Sequence, residues 1–135
     1  MASKLVLRQY IPLPPHPAGD FDHGDVYLPT GRVFIANTAG GTVEVVDGER
    51  LRHLATIAGC PEASGVLCAQ DEALVFAAAR GAGKLLVIDP TTHAVLREVG
   101  VGPRPGADCG SARCHLAQPP AWSTLRGHRA PGCAR

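Results

Sequence analysis

Residues 33–61, VFIANTAGGTVEVVDGERLRHLATIAGCP, decide the fold, because residues 75–103, VFAAARGAGKLLVIDPTTHAVLREVGVGP, repeat them 42 positions later without a gap. Eight of the 29 aligned pairs are identical: Val33/Val75, Phe34/Phe76, Ala36/Ala78, Gly41/Gly83, Val45/Val87, Asp47/Asp89, Leu54/Leu96 and Pro61/Pro103. Val43/Leu85, Val46/Ile88 and Ile57/Val99 are conservative. The matches are mostly apolar residues, glycine and aspartate, the kinds that a shared backbone course demands.

Each copy reads as short strands between turns. Val33–Ala36 is rich in β-formers, and Thr38-Ala39-Gly40-Gly41 supplies a turn in which glycine can take positive φ. Thr42–Asp47 alternates, with Val43 and Val45 on one face. Asp47-Gly48 turns the chain again, with the aspartate expected to close the turn through side-chain hydrogen bonds. Leu54–Ile57 follows as a third strand. The second copy repeats this as Leu74–Ala79, the turn Arg80–Gly83, Lys84–Asp89 and Ala94–Val101. Between the copies, Gly65–Ala69 supplies a fourth strand. Upstream, Leu5–Ile11 and Phe21–Leu28 read as the last strand of one unit and the first strand of the next. Four short strands per roughly 40–45 residues is the period of a propeller blade. The period alone would also allow a two-helix repeat of similar length, but the glycine-rich turns and β-branched runs argue against it. The expected fold class is therefore all-β: a β-propeller repeat fragment of four-stranded antiparallel blades.

Phe34-Ile35-Ala36-Asn37, Val43-Glu44-Val45-Val46-Asp47, Leu85-Leu86-Val87-Ile88-Asp89-Pro90 and Val101-Gly102-Pro103-Arg104-Pro105 resemble the YVTN-type repeats of YncE-like β-propeller proteins. The resemblance covers residues 5–105 and departs at Ala79, where that family often carries Asn. It implies a fold and says little about activity, because propellers host many functions. The domain reading is a partial YVTN-type propeller over 1–105 and an irregular basic tail over 106–135.

Composition supports that division. The chain has 135 residues, 16 glycines and 12 prolines, which argues against a long-helix bundle. Hydrophobic residues make up 45%, sufficient for a core. Residues 1–108 hold nine of the basic residues and all twelve acids, whereas the last 27 hold four arginines and no acid. Two origins fit this Arg/Cys/Pro-rich ending: a frameshift near Pro105, or a natural irregular tail. A net charge of +1 and an aromatic content of 4% give no footprint or stacking platform for nucleic acid. No apolar run reaches the roughly 18 residues of a membrane-spanning helix. With no secretory signal pattern, the expected location is cytoplasmic. Five cysteines without framework spacing suggest reduced thiols.

The densest polar group is His16, Asp20, Asp22, His23 and Asp25. In a propeller, the loop before each blade's first strand opens onto the central channel. That marks His16, Asp22, His23, Glu62 and Arg104 as candidate ligand-binding residues, with a divalent metal as the conceivable cofactor. The competing reading of these residues is a set of solvated turns. Cys109, Cys114, His115, His128 and Cys133 fit neither a paired zinc spacing nor a c-type haem motif. Gly81-Ala82-Gly83-Lys84 lacks a full phosphate loop, so Lys84 reads as a solvated strand start. Ser64 and Ser111 lack a nucleophile elbow. The leading expectation is a non-enzymatic binding or scaffold module, part of a longer YncE-like protein, for a small ligand or protein. The alternative is part of a metal-dependent lactonase- or hydrolase-type propeller enzyme using channel-facing His and carboxylates. Open blade edges also suggest self-association.

Overall fold

The computed structural model describes residues 4–102 and places eight strands in two four-stranded antiparallel sheets. The first sheet holds β1 (Phe21–Tyr27), β2 (Arg32–Asn37), β3 (Thr42–Asp47) and β4 (Arg52–Ile57) in sequence order. The second holds β5 (Ala63–Ala69), β6 (Leu74–Ala79), β7 (Lys84–Ile88) and β8 (Val95–Gly100), again in order. A single 3-10 turn, Arg80–Ala82, joins β6 to β7. Each sheet is a meander of the kind a blade requires, and the all-β expectation holds.

The repeat is written in the backbone as well as in the side chains. Gly41 and Gly83 hold φ of 62° and 61° at equivalent turns. Gly31 and Ala73 hold 64° and 50°, and Leu51 and His93 hold 52° and 63°. Both pairs lie 42 residues apart, although neither is conserved in type. The third and fourth strands of both sheets also carry a register shift at the same place, between Val45 and Val46 and between Val87 and Ile88. The residues left over at these shifts are Leu54 and Leu96, one of the identical pairs.

The sheets stack through the face of the first that carries Phe34, Ala36, Val43 and Val45, all fully buried. Opposite them the second sheet contributes Val75, Ala77, Leu86 and Ile88 to the same core. Alternation along each strand thus gives the first sheet one face toward the second and one face away. Side chains stitch the seam. Cys68 N–H donates to Asp25 Oδ2 at 2.8 Å, and Thr38 Oγ1 donates to the Ala63 carbonyl at 2.6 Å. Arg32 Nη1 donates to the Pro90 and Thr91 carbonyls at 2.6 and 2.7 Å. Gln70 accepts from Leu28 N–H and donates to the Val26 carbonyl.

The expected strand at Leu5–Ile11 does not form. This stretch lies outside any sheet, with Leu5, Val6, Leu7 and Tyr10 exposed. A strand needs a neighbour to take its backbone groups, and no strand among the described residues pairs with it. The segment instead runs the length of the first sheet. Gln9 Nε2 donates to the Leu51 carbonyl at the β3–β4 turn, and Asp20 accepts from Thr38 N–H at the β2–β3 turn, at the opposite end. Between these ties, Ile11 and Leu13 are half-buried. Among the described residues no helix is long and apolar enough to cross a membrane.

Candidate functional site

The antiparallel order brings the starts of β1, β3, β5 and β7 to one end of the stack, where most of the candidate residues lie. Asp22 and His23 begin β1, and Glu62 precedes β5. His23 Nδ1 lies 2.5 Å from Asp22 Oδ1 and 3.2 Å from the Ser64 carbonyl across the seam. One ring nitrogen therefore meets a group of each sheet. Glu62 takes a positive φ of 49° and pairs with Arg80 Nε at 3.2 Å. His16 stays exposed, its Nδ1 3.0 Å from the Pro17 carbonyl and its ring edge-on to Phe21. Asp25, a member of the same polar cluster, accepts from Cys68 N–H across the seam and from its neighbour Val26 N–H within β1. No group of three or more His, Cys, Asp or Glu suited to holding a metal occurs among the described residues. Arg104 and the tail residues Cys109, Cys114, His115, His128 and Cys133 lie outside the described residues.

The turn aspartates do what their recurrence suggests. Asp47 Oδ1 accepts from Glu49 and Arg50 N–H at 3.0 and 2.9 Å, and Asp89 Oδ1 accepts from Thr91 and Thr92 N–H at 2.7 and 2.9 Å. These backbone donors hold both carboxyls below the usual aspartate range. Lys84 is an exposed strand start that pairs with Glu98 at 2.6 Å. Cys60 and Cys68 are free, buried thiols. Burial pushes both up to about 11, with Asp25 adding to the rise at Cys68, so neither supplies a thiolate near neutral pH.

One constellation escapes the sequence reading. Glu44, in the middle of β3, is 3% exposed and points away from the second sheet. Its Oε1 accepts from Thr42 Oγ1 at 2.7 Å and Asn37 Nδ2 at 3.4 Å. Its Oε2 accepts from Thr56 Oγ1 at 2.6 Å and lies 2.9 Å from His53 Nε2. Burial pushes the Glu44 carboxyl up, but bonds from Thr56, Thr42, His53 and Asn37 outweigh it and hold the group below its ordinary range. With both oxygens doubly engaged, the carboxylate has little capacity left for a ligand. The signal was present in the repeat: Glu44 interrupts an apolar run at the position where the second copy has Leu86.

The scan against protein-family models and the search of curated proteins return no match. Among solved structures, a chain of Kuenenia stuttgartiensis hydrazine synthase is similar, with a TM-score of 0.56 and 23% identity over 62% of this chain. The match spans 24% of that chain, and at this identity it shows a shared fold alone. Fold and likeness together define the class: two stacked, blade-like four-stranded antiparallel sheets of a repeat protein.

Proposed function

We propose that this chain is a non-enzymatic binding or scaffold module of YVTN-type blades, equivalent to part of a longer YncE-like propeller. The observation that carries this reading is where the polar side chains go. His23, Asp25, Thr38 and Arg32 reach across the seam, Glu62 pairs within its own end of the second sheet, and Glu44 is saturated inside the first. Groups committed to holding blades together are poorly placed to act on a substrate. The exposed loops at the strand-start end, with His16 and Asp22, remain the surface for a small ligand or protein.

A thermal-unfolding series with zinc, manganese and calcium ions tests this against the metal-dependent lactonase- or hydrolase-type alternative. The module reading expects no saturable rise in Tm with any of the three. A saturable rise that Asp22→Asn and His23→Gln both remove supports a metal centre and contradicts the module.

A further inference from the structure

His93 packs at the seam, its ring edge-on to Phe34 of the first sheet. Its Nε2 is, among the described residues, the one buried side-chain nitrogen or oxygen without a hydrogen-bond partner. The backbone of the turn does not require a histidine here. Leu51 holds the same left-handed position in the first sheet, φ 52° against 63°, and Asp47 closes that turn as Asp89 closes this one. Leucine therefore meets the backbone demand of this position without a polar atom to bury. An unpaired buried polar group is destabilising, and one that the fold does not need calls for an explanation.

The surroundings make this nitrogen a control point. The β7–β8 turn, 89–94, is closed upon itself. Asp89 N–H donates to the Ala94 carbonyl and His93 N–H to the Asp89 carbonyl, both at 2.9 Å, and Asp89 Oδ1 takes the Thr91 and Thr92 N–H groups. Arg32 of β2 ties this turn to the first sheet, its Nη1 donating to the Pro90 and Thr91 carbonyls at 2.6 and 2.7 Å. The turn can thus shift as a unit once Arg32 lets go, while the fully buried Pro90 anchors its start. Two charged groups act on the ring: Arg32 from the first sheet repels a proton there, and Asp89 from the ring's own turn attracts it. A proton on the ring places a poorly solvated charge in the seam, beside the guanidinium that latches the turn. Movement of the ring away from Arg32, toward Asp89 and solvent, relieves both penalties.

We propose that His93 is an acid-operated catch on the seam: protonation of its ring swings the 89–94 turn off Arg32 and frees this end of the two sheets, while their stacked core stays closed. Phe34, Val45, Val75 and Ile88 hold that core, and none of them titrates. The open form exposes a guanidinium on one sheet and two carbonyls on the other, groups that the closed form pairs with each other. A histidine at a packed interface is the group suited to such a change near neutral pH. The proposal goes beyond the module reading and does not depend on which ligand the loops at the opposite end take.

Carbonyl and imidazole NMR of the isotope-labelled full chain, followed from pH 7.5 to 4.5, tests it. Asp89 and Glu44 titrate below this range. The expected result is that the Pro90 and Thr91 carbonyl carbons lose their hydrogen-bond shift in step with protonation of the His93 ring, while the amides of Val45 and Leu86 keep theirs. His93→Leu should abolish that movement and leave both carbonyls latched at pH 4.5. Arg32→Leu, the residue that Leu74 supplies at the equivalent place in the second sheet, should show the released carbonyl shifts already at pH 7.5 and no further change. The wild-type titration decides even where a variant does not fold. A ring still neutral at pH 4.5, carbonyls that hold still while it titrates, movement that persists in His93→Leu, or core amides that shift in step with the turn overturns the proposal.

Discussion

His93 shows how a repeat can keep its backbone while changing its chemistry. It occupies the left-handed turn position that Leu51 holds in the first sheet, and its ring packs edge-on to Phe34 with centroids 6.1 Å apart. Its Nε2 is buried without a hydrogen-bond partner. Burial, helped by the nearby Arg32 and opposed by Asp89, holds the imidazole below its ordinary value of 6.5. The folded state therefore binds this proton more weakly than the unfolded state, and stability is lost as pH falls below 6.5 toward the folded value. Glu44 adds a loss at lower pH. Its folded carboxyl titrates below the ordinary 4.5, so its contribution is complete above that value and disappears as pH drops through the folded one. The expected outcome is that His93→Leu, the residue its sister turn already accepts, flattens the fall in urea midpoint between pH 7 and 5. The steeper fall below pH 4.5 should remain. An unchanged slope between pH 7 and 5 would show that another group drives it.

At the scale of strands and turns, the equivalence of Gly31 and Ala73 makes a direct test. Both lie in left-handed conformation, φ 64° and 50°, at the turn between the first and second strands of their sheets. An L-residue there bears roughly 1–2 kcal/mol of strain, while glycine's extra freedom in the unfolded chain offsets part of the relief. Ala73 is exposed, so little packing is lost on removing its methyl. Ala73→Gly should therefore stabilise the protein by about 0.5–1 kcal/mol in urea titration. A loss of stability would mean that the turn is not held as described. These elements were largely legible in the sequence, because turn residues and apolar alternation act locally. Thr42–Asp47 and Leu74–Ala79 form with the bounds the pattern predicts. The strand expected at Leu5–Ile11 fails for the complementary reason: its local pattern suits a strand, but strand pairing depends on a neighbour that local pattern cannot supply. The candidate site was less legible. Clustering along the chain marked His16, Asp22 and His23, yet it could not reveal that His23 and Asp25 reach the adjoining sheet 41 and 43 residues away. Nor does single-strand alternation distinguish a buried Glu44 from an exposed one, since its burial depends on donors from β2 and β4.

For the whole molecule, neither sheet buries its apolar face alone. Phe34, Val43 and Val45 disappear from solvent only because Val75, Leu86 and Ile88 oppose them, and the seam bonds fix the register of that contact. The two repeats should accordingly open as one cooperative unit, as adjacent repeats sharing a core do. Native-state amide hydrogen exchange on the full chain, compared with Phe34→Ala, tests this most directly. The substitution removes a fully buried ring from the first sheet and should cost about 3–5 kcal/mol. The account predicts that the slowest amides of β3 and β7, those of Val45 and Leu86 among them, exchange at matched free energies and fall together by the same amount in the variant. Protection lost in β3 alone, with β7 unchanged, would show two independent sheets and contradict the stacked-blade account.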